Sequence, residues 1–204
     1  MSLTILPKHE PLVIVLSGTS GAGKDSIIKS LQARGLPFHF VVTATSRAQR
    51  PNEIDGMDYI FVSRQRFEDM IAKGELIEYA LVYGEYKGVP RFQVENALAS
   101  GKDVIMRVDV QGALTLRKQF PQAVLIFVSA EDTEDTAERL ENRSTEAREA
   151  LRLRLQTAAL ELSQLKAFDY WVVNRRNQLE RTVDIVIAII EAEHHRVSRQ
   201  KGIS

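Results

Sequence analysis

Leu12 to Leu16 (LVIVL) is an uninterrupted apolar run, and three further segments resemble it: Asp103 to Val108 (DVIMRV), Ala123 to Val128 (AVLIFV) and Tyr170 to Val173 (YWVV). Runs of this length without polar alternation predict strands buried on both faces of a sheet. Helical spacing lies between them. Ile27, Ile28 and Leu31 follow the first run in a segment that ends near Gly35, with Pro37 beyond it. Gln111 to Lys118 and Glu131 to Arg143 also read as helices, and in the closing segment from Gln178 to His195 the residues Val183, Val186, Ile187 and Ile190 fall on one stripe. Strand, helix and strand in alternation predict an α/β fold, with a parallel sheet flanked by helices on both faces. In the last run Trp171 is expected to join the core.

Two stretches break the pattern. From about 38 to 89 the chain carries short alternating runs (HFVVTAT, DYIFVS, LIEYALVYG) and one short helix, Arg66 to Lys73, closed by Gly74. This predicts a small inserted subdomain with antiparallel strands. From about 131 to 166 a highly charged helical stretch is interrupted around Asn142-Arg143-Ser144-Thr145. Such a charge run most often marks a solvated face. The remaining segments, about 10–37, 90–130 and 167–197, form the core of a single domain, which suits a chain of 204 residues.

Composition narrows the function classes. Lys plus Arg (27) balances Asp plus Glu (27), so the whole-molecule field offers no general attraction to nucleic acid or anionic membrane, and anion binding must be local. The absence of cysteine excludes disulfides, thiolate catalysis and cysteine-bound zinc. The four histidines show no metal-ligand spacing. No apolar run approaches the ~20 residues that span a bilayer. The opening MSLTILPKHEP has too short an apolar core for a secretory signal. A cytoplasmic protein, monomeric or a small homo-oligomer, is the expectation.

Between the first strand and its helix stand Gly18-Thr19-Ser20-Gly21-Ala22-Gly23-Lys24, which fit the G-x-x-x-x-G-K loop that binds nucleotide phosphates. Its glycines let successive backbone N–H groups converge on a phosphate, and the following helix adds its positive end. Lys24 reaches the β- and γ-phosphates of ATP as a point charge. The usual motif ends in Ser or Thr, whose hydroxyl binds Mg²⁺. Here that place is Asp25, followed by Ser26. Asp25 is a hard oxygen ligand that can act through a metal-bound water, and equally a charge that complements the helix N-terminus.

The insert carries TSRAQRPNEIDGMDY from Thr45 to Tyr59, then Ile77-Glu78-Tyr79-Ala80, and beyond it Asp109-Val110-Gln111-Gly112. Between Glu131 and Leu155 there are five arginines and no lysine, although the chain has 18 Arg and 9 Lys. With the phosphate loop, these segments resemble the guanylate kinases in order and spacing, from about Pro11 to Ile190. The resemblance implies a P-loop NTPase core with a GMP-binding insert and a helical lid at about 131–166. It also implies transfer of the γ-phosphoryl group of ATP to GMP, with Mg²⁺. Residue by residue, it implies that Arg47, Arg50 and Tyr59 hold the GMP phosphate, with Glu53 orienting the arginines. Glu78 reads guanine N1–H and the exocyclic amine, Thr43 supplies a hydroxyl at the guanine edge, and Asp109 faces guanine and the metal's water shell. The metal set is then Asp25, Ser26 and Asp109 through water, and Asn174 lies near adenine. Lys24, Arg50, Arg139, Arg143 and Arg154 surround the transferring group.

Three positions depart from the family pattern. Lys87 stands where many relatives carry Tyr, and it can pair with the acceptor phosphate as a flexible cation. Val89 lacks a hydroxyl that many relatives have. Arg107 replaces an acid and is given no role. Two other functions share parts of this pattern: a kinase of the same fold with a different phosphorylated acceptor, and a binding module without catalysis. Glu78 with Thr43 argues against the first, and the intact Gly23-Lys24 against the second.

Overall fold

The computed structural model describes residues 10–82, 84–131 and 157–199. In chain order the elements are β1 (Val13–Gly18), α1 (Lys24–Ala33), β2 (Phe38–Phe40), β3 (Ala44–Thr45), β4 (Ile60–Phe61), α2 (Arg64–Ala72), β5 (Leu76–Val82) and β6 (Glu85–Pro90). They continue with α3 (Arg91–Ala99), β7 (Asp103–Arg107), α4 (Val110–Gln119) and β8 (Val124–Ser129). Helical residues 157–163 (α5), β9 (Tyr170–Val173) and α6 (Leu179–His194) complete the described chain.

Five strands form a parallel sheet in the order β2-β7-β1-β8-β9. Alternate side chains of each strand enter different cores, as the two-residue period of a strand requires. Ile14 and Leu16 of β1 pack with Ile27, Leu31, Val183, Val186 and Ile190 from α1 and α6. Val15, between them, packs on the other face with Val94, Ala97, Ala113 and Leu116 from α3 and α4. The apolar runs are therefore continuous because both faces are covered. With β7 on one side of β1 and β8 on the other, the crevice outside the carboxyl end of β1 is where an open α/β sheet receives a ligand.

A second sheet, in the order β4-β3-β6-β5, is mixed: β3 pairs parallel to β4 and antiparallel to β6, and β6 pairs antiparallel to β5. It has its own small core of Ala44, Phe67, Met70 and Leu76.

Three features differ from the sequence reading. Phe38–Phe40, read as part of the insert, is β2 and pairs in parallel with β7 at the edge of the main sheet. Residues 91–99, not anticipated as a helix, form α3, with only Val94 and Ala97 buried. Trp171 is 57% exposed rather than core, because β9 is an edge strand and Val172 takes the inward position; the indole N–H donates to Ser129 Oγ at 3.0 Å.

Candidate active site

At the end of β1 the chain passes so close to β8 that a Cβ on Gly18 would lie 1.9 Å from the Val128 carbonyl oxygen. Only glycine fits there. The Thr19 amide then donates to the same carbonyl at 3.0 Å, which ties the start of the loop to the sheet. Gly23, with φ 84°, is the left-handed residue from which α1 departs. Lys24 folds back under the loop and donates from Nζ to the carbonyls of Gly18 (2.7 Å) and Thr19 (2.8 Å). Burial lowers its pKa to about 8, opposed by the negative charges of Glu161 and Asp25.

The loop forms one wall of a cavity of about 420 Å³. Gly18, Ser20, Gly21, Ala22, Gly23, Lys24 and Asp25 line it, and the facing wall carries Thr43, Arg47, Arg50, Tyr59, Glu78 and Lys87, with Asp109 beside them. Residues distant in sequence thus converge on one cavity. Glu53 stands behind the wall and holds Arg47 through two bonds, from Nη1 to Oε2 (2.7 Å) and from Nη2 to Oε1 (2.5 Å). It also accepts from the Arg50 amide at 3.0 Å. These bonds lower the Glu53 pKa against the opposing effect of burial. The Arg47 guanidinium lies 4.9 Å from the Tyr59 ring centroid.

Glu78 sits on β5, where the alternation puts Leu76, Glu78 and Ala80 on the buried side. A register shift in the β5–β6 pairing falls between Leu76 and Glu78. Its carboxyl is 4% exposed as a residue, and Oε2 has no hydrogen-bond partner among the described residues. Burial, with a further push from the Asp109 charge, raises its pKa to about 8. Asp109 caps α4 by accepting from the Gly112 amide at 2.9 Å. Lys87 lines the cavity, with a pKa lowered by burial. Val89 packs into the core beneath.

The remaining expected residues are placed as follows. Asn174 is buried under the loop: its Nδ2 donates to the Ala22 carbonyl at 2.9 Å, and its Oδ1 accepts from Thr182 Oγ1 at 3.0 Å. Its position after β9 fixes the loop from below. Ser26 is exposed on α1, and neither it nor Thr19 lines the cavity. Arg139, Arg143 and Arg154 lie outside the described residues.

Two residues to which the sequence assigned no role are at the site. Glu161 on α5 accepts from the Ser20 amide through Oε2 at 3.1 Å, across a separation of 141 residues. Burial raises its pKa, while Lys24 and the Ser20 bond oppose the rise. Arg107, at the end of β7, donates from Nη1 to Asp25 Oδ1 and from Nη2 to the Asp58 carbonyl, both at 2.8 Å. Its guanidinium also lies 4.3 Å from the Tyr59 ring centroid. The sequence offered one signal for Arg107, a charge ending a strand otherwise apolar toward its carboxyl end.

A parallel sheet with a phosphate loop at its central strand, facing an arginine-bearing second sheet across one cavity, defines the architecture of a nucleoside monophosphate kinase. The guanylate kinase family model matches residues 10–193. The chain is 47% identical over 197 residues to guanylate kinase 2, chloroplastic/mitochondrial, of Oryza sativa subsp. japonica, covering 96% of this chain and 69% of that protein. It is 41% identical over 195 residues to the guanylate kinase of Desulfitobacterium hafniense, covering 96% of each. The crystal structure of guanylate kinase from Anaplasma phagocytophilum superposes with a TM-score of 0.79 at 31% identity, over 97% of this chain and 94% of that one. The chain belongs to the guanylate kinase family.

Proposed function

We infer that the chain transfers the γ-phosphoryl group of ATP to GMP, giving ADP and GDP. One observation carries the choice of acceptor: Glu78 presents a buried carboxyl oxygen without a partner to a cavity it shares with the phosphate loop. Guanine offers N1–H and an exocyclic amine side by side, and a carboxylate accepts both. Adenine has no such pair and would leave the acid buried and unsatisfied, a mismatch that can cost about 10⁴-fold in specificity.

The chemistry follows from charge and alignment. The phosphate loop and Lys24 hold the donor's terminal phosphates. Arg47, oriented by Glu53, acts with Arg50 and Tyr59 on the acceptor phosphate; guanidinium forks suit a dianion. An acceptor oxygen bonds to the γ-phosphorus as the bond from that phosphorus to the β,γ-bridging oxygen breaks, and ADP leaves with those electrons. A dianionic acceptor needs no general base. The carboxylates of Asp25 and Asp109 at the cavity are hard oxygen donors suited to Mg²⁺ through water, as is the hydroxyl of Ser26, which is exposed on α1 outside the cavity lining. Held through water by these side chains, Mg²⁺ carried in with ATP would supply charge neutralisation at the donor phosphates. Arg139, Arg143 and Arg154 complete the cationic surround by the family resemblance alone.

Among the described residues no helix is long and apolar enough to cross a membrane. A cysteine-free chain fits a reducing compartment such as the cytoplasm. The deciding experiment is coupled ADP release with ATP and a panel of GMP, AMP, UMP and ribose phosphates. GMP is expected to exceed the others by orders of magnitude, and equal use of AMP would refute the reading.

A further inference from the structure

Asp25, which departs from the usual phosphate-loop motif, and Arg107, which departs from the family pattern, meet in a single interaction. The residues are 82 apart in sequence, yet the guanidinium meets the carboxylate at 2.8 Å. The Arg107 side chain is 12% exposed and that of Asp25 31%. Arg107 sits in register with Leu16 on the central strand. From there its planar head makes three contacts: the first turn of the phosphate-loop helix, the backbone of the insert at Asp58, and the face of Tyr59.

Asp25 lines the cavity immediately after Lys24 and is close enough to raise the affinity of that ammonium for its proton. A bare carboxylate there would repel a polyanion arriving at the loop. Where the usual motif has a neutral hydroxyl, this chain has a negative charge, and Arg107 brings the compensating positive one. The guanidinium also lies against the Tyr59 ring, which Arg47 reaches as well.

We propose that Arg107 is a positioning residue for both substrates: it cancels the charge of Asp25 beside the donor phosphates and holds Tyr59 at the acceptor site. The inference rests on the reading of the cavity as a two-nucleotide site. It separates into a donor half that depends on Asp25 and an acceptor half that does not.

The experiment is isothermal titration of ATP and, separately, GMP into the full chain in EDTA at low ionic strength, so that metal does not mask the carboxylate. Arg107→Ala is expected to weaken ATP binding roughly ten- to hundredfold, the scale of one positive charge removed a few ångströms from phosphate at intermediate dielectric. Adding Asp25→Ser is expected to restore ATP binding to within about threefold of the unaltered protein. GMP binding is expected to stay weakened in both variants. A role confined to holding the fold together would show no such selective rescue. A double variant as weak for ATP as Arg107→Ala would overturn the donor half, and unchanged GMP binding in Arg107→Ala the acceptor half.

Should Arg107→Ala fail to fold, Asp25→Asn tests the same charge from the other side. It is expected to tighten metal-free ATP binding by about threefold or more, and no tightening would overturn the proposal. The unaltered protein is assayed first for ATP-dependent phosphorylation of GMP. Failure there counts against the kinase reading, while the metal-free ATP titrations report on the Asp25–Arg107 pair independently.

Discussion

Gly112 is the position at which fold and specificity can be separated most sharply. It lies in the first turn of α4, and a Cβ added there would stand 2.7 Å from Glu78 Oε2, 2.8 Å from Cδ and 2.9 Å from Oε1. The atoms in the way are the far end of a flexible side chain, so the carboxyl gives way and the helix does not. In Gly112→Ala the helix gains about 0.8–1 kcal/mol of propensity. Displacing Glu78 from its rotamer costs about 0.5–1.5 kcal/mol, so stability is expected to change by less than about 1 kcal/mol. To reach ordinary van der Waals contact the carboxyl must retreat by roughly 0.5–1 Å, and a displacement of that size at a recognition site can cost about 10²-fold. The assay is kcat/KM for GMP and for AMP alongside a thermal melt. The expected result is a fall of about 30- to 100-fold for GMP, AMP barely altered, and an unchanged melting temperature. A variant that keeps its kcat/KM for GMP within about threefold would refute the reasoning.

The raised Glu78 pKa makes guanine recognition depend on pH. Because the folded value near 8 exceeds the ordinary 4.5, the folded chain holds a proton that the unfolded chain has lost between those limits, and stability falls as pH rises through that window. GMP needs the carboxylate, so its affinity is expected to rise by up to about tenfold per pH unit between roughly 6.5 and 8 and then level off. Titrations in buffers of different ionisation heat should show about one proton released near pH 7, and none in Glu78→Gln, which should also lose preference for GMP over AMP. Lys24→Ala is expected to lower kcat by about 10²-fold or more while melting within about 4 °C of the unaltered protein; near-normal turnover would contradict its place at the donor phosphates. Glu193 is 2% exposed and accepts from Tyr170 Oη (2.5 Å) and Arg199 Nε (2.6 Å), at the opposite end of the strands from the cavity. Glu193→Ala should cost about 3 kcal/mol in urea unfolding and leave the KM values unchanged.

What could be read in the sequence was what local chemistry decides. The strands β1, β7 and β8 announced themselves because both faces of the sheet are covered there. Glu78 was conspicuous as an acid at an inward position of an alternating strand. What could not be read depends on strand order and long-range contact. Phe38–Phe40 looks like the insert strands and joins the main sheet only because β7 lies beside it. Trp171 is exposed because β9 is the edge strand among the described residues. Arg107 and Asp25 looked like unrelated exceptions until the fold brought them within 2.8 Å, and Glu161 reaches Ser20 from a helix that gave no chemical signal. Asn174 was placed near adenine on family grounds, and its bonds to Ala22 and Thr182 could not be read from the sequence.

The contact between Gly18 and Val128 has a consequence for how the molecule comes apart. With no side-chain atom between the glycine and that carbonyl, the donor cradle is fastened to the midline of the larger sheet, whereas base recognition hangs on a smaller sheet with a four-residue core cluster of its own. Loss of order that spreads inward from the periphery reaches the cradle last, so a partly melted chain would go on gripping triphosphate after it had ceased to tell one purine from another.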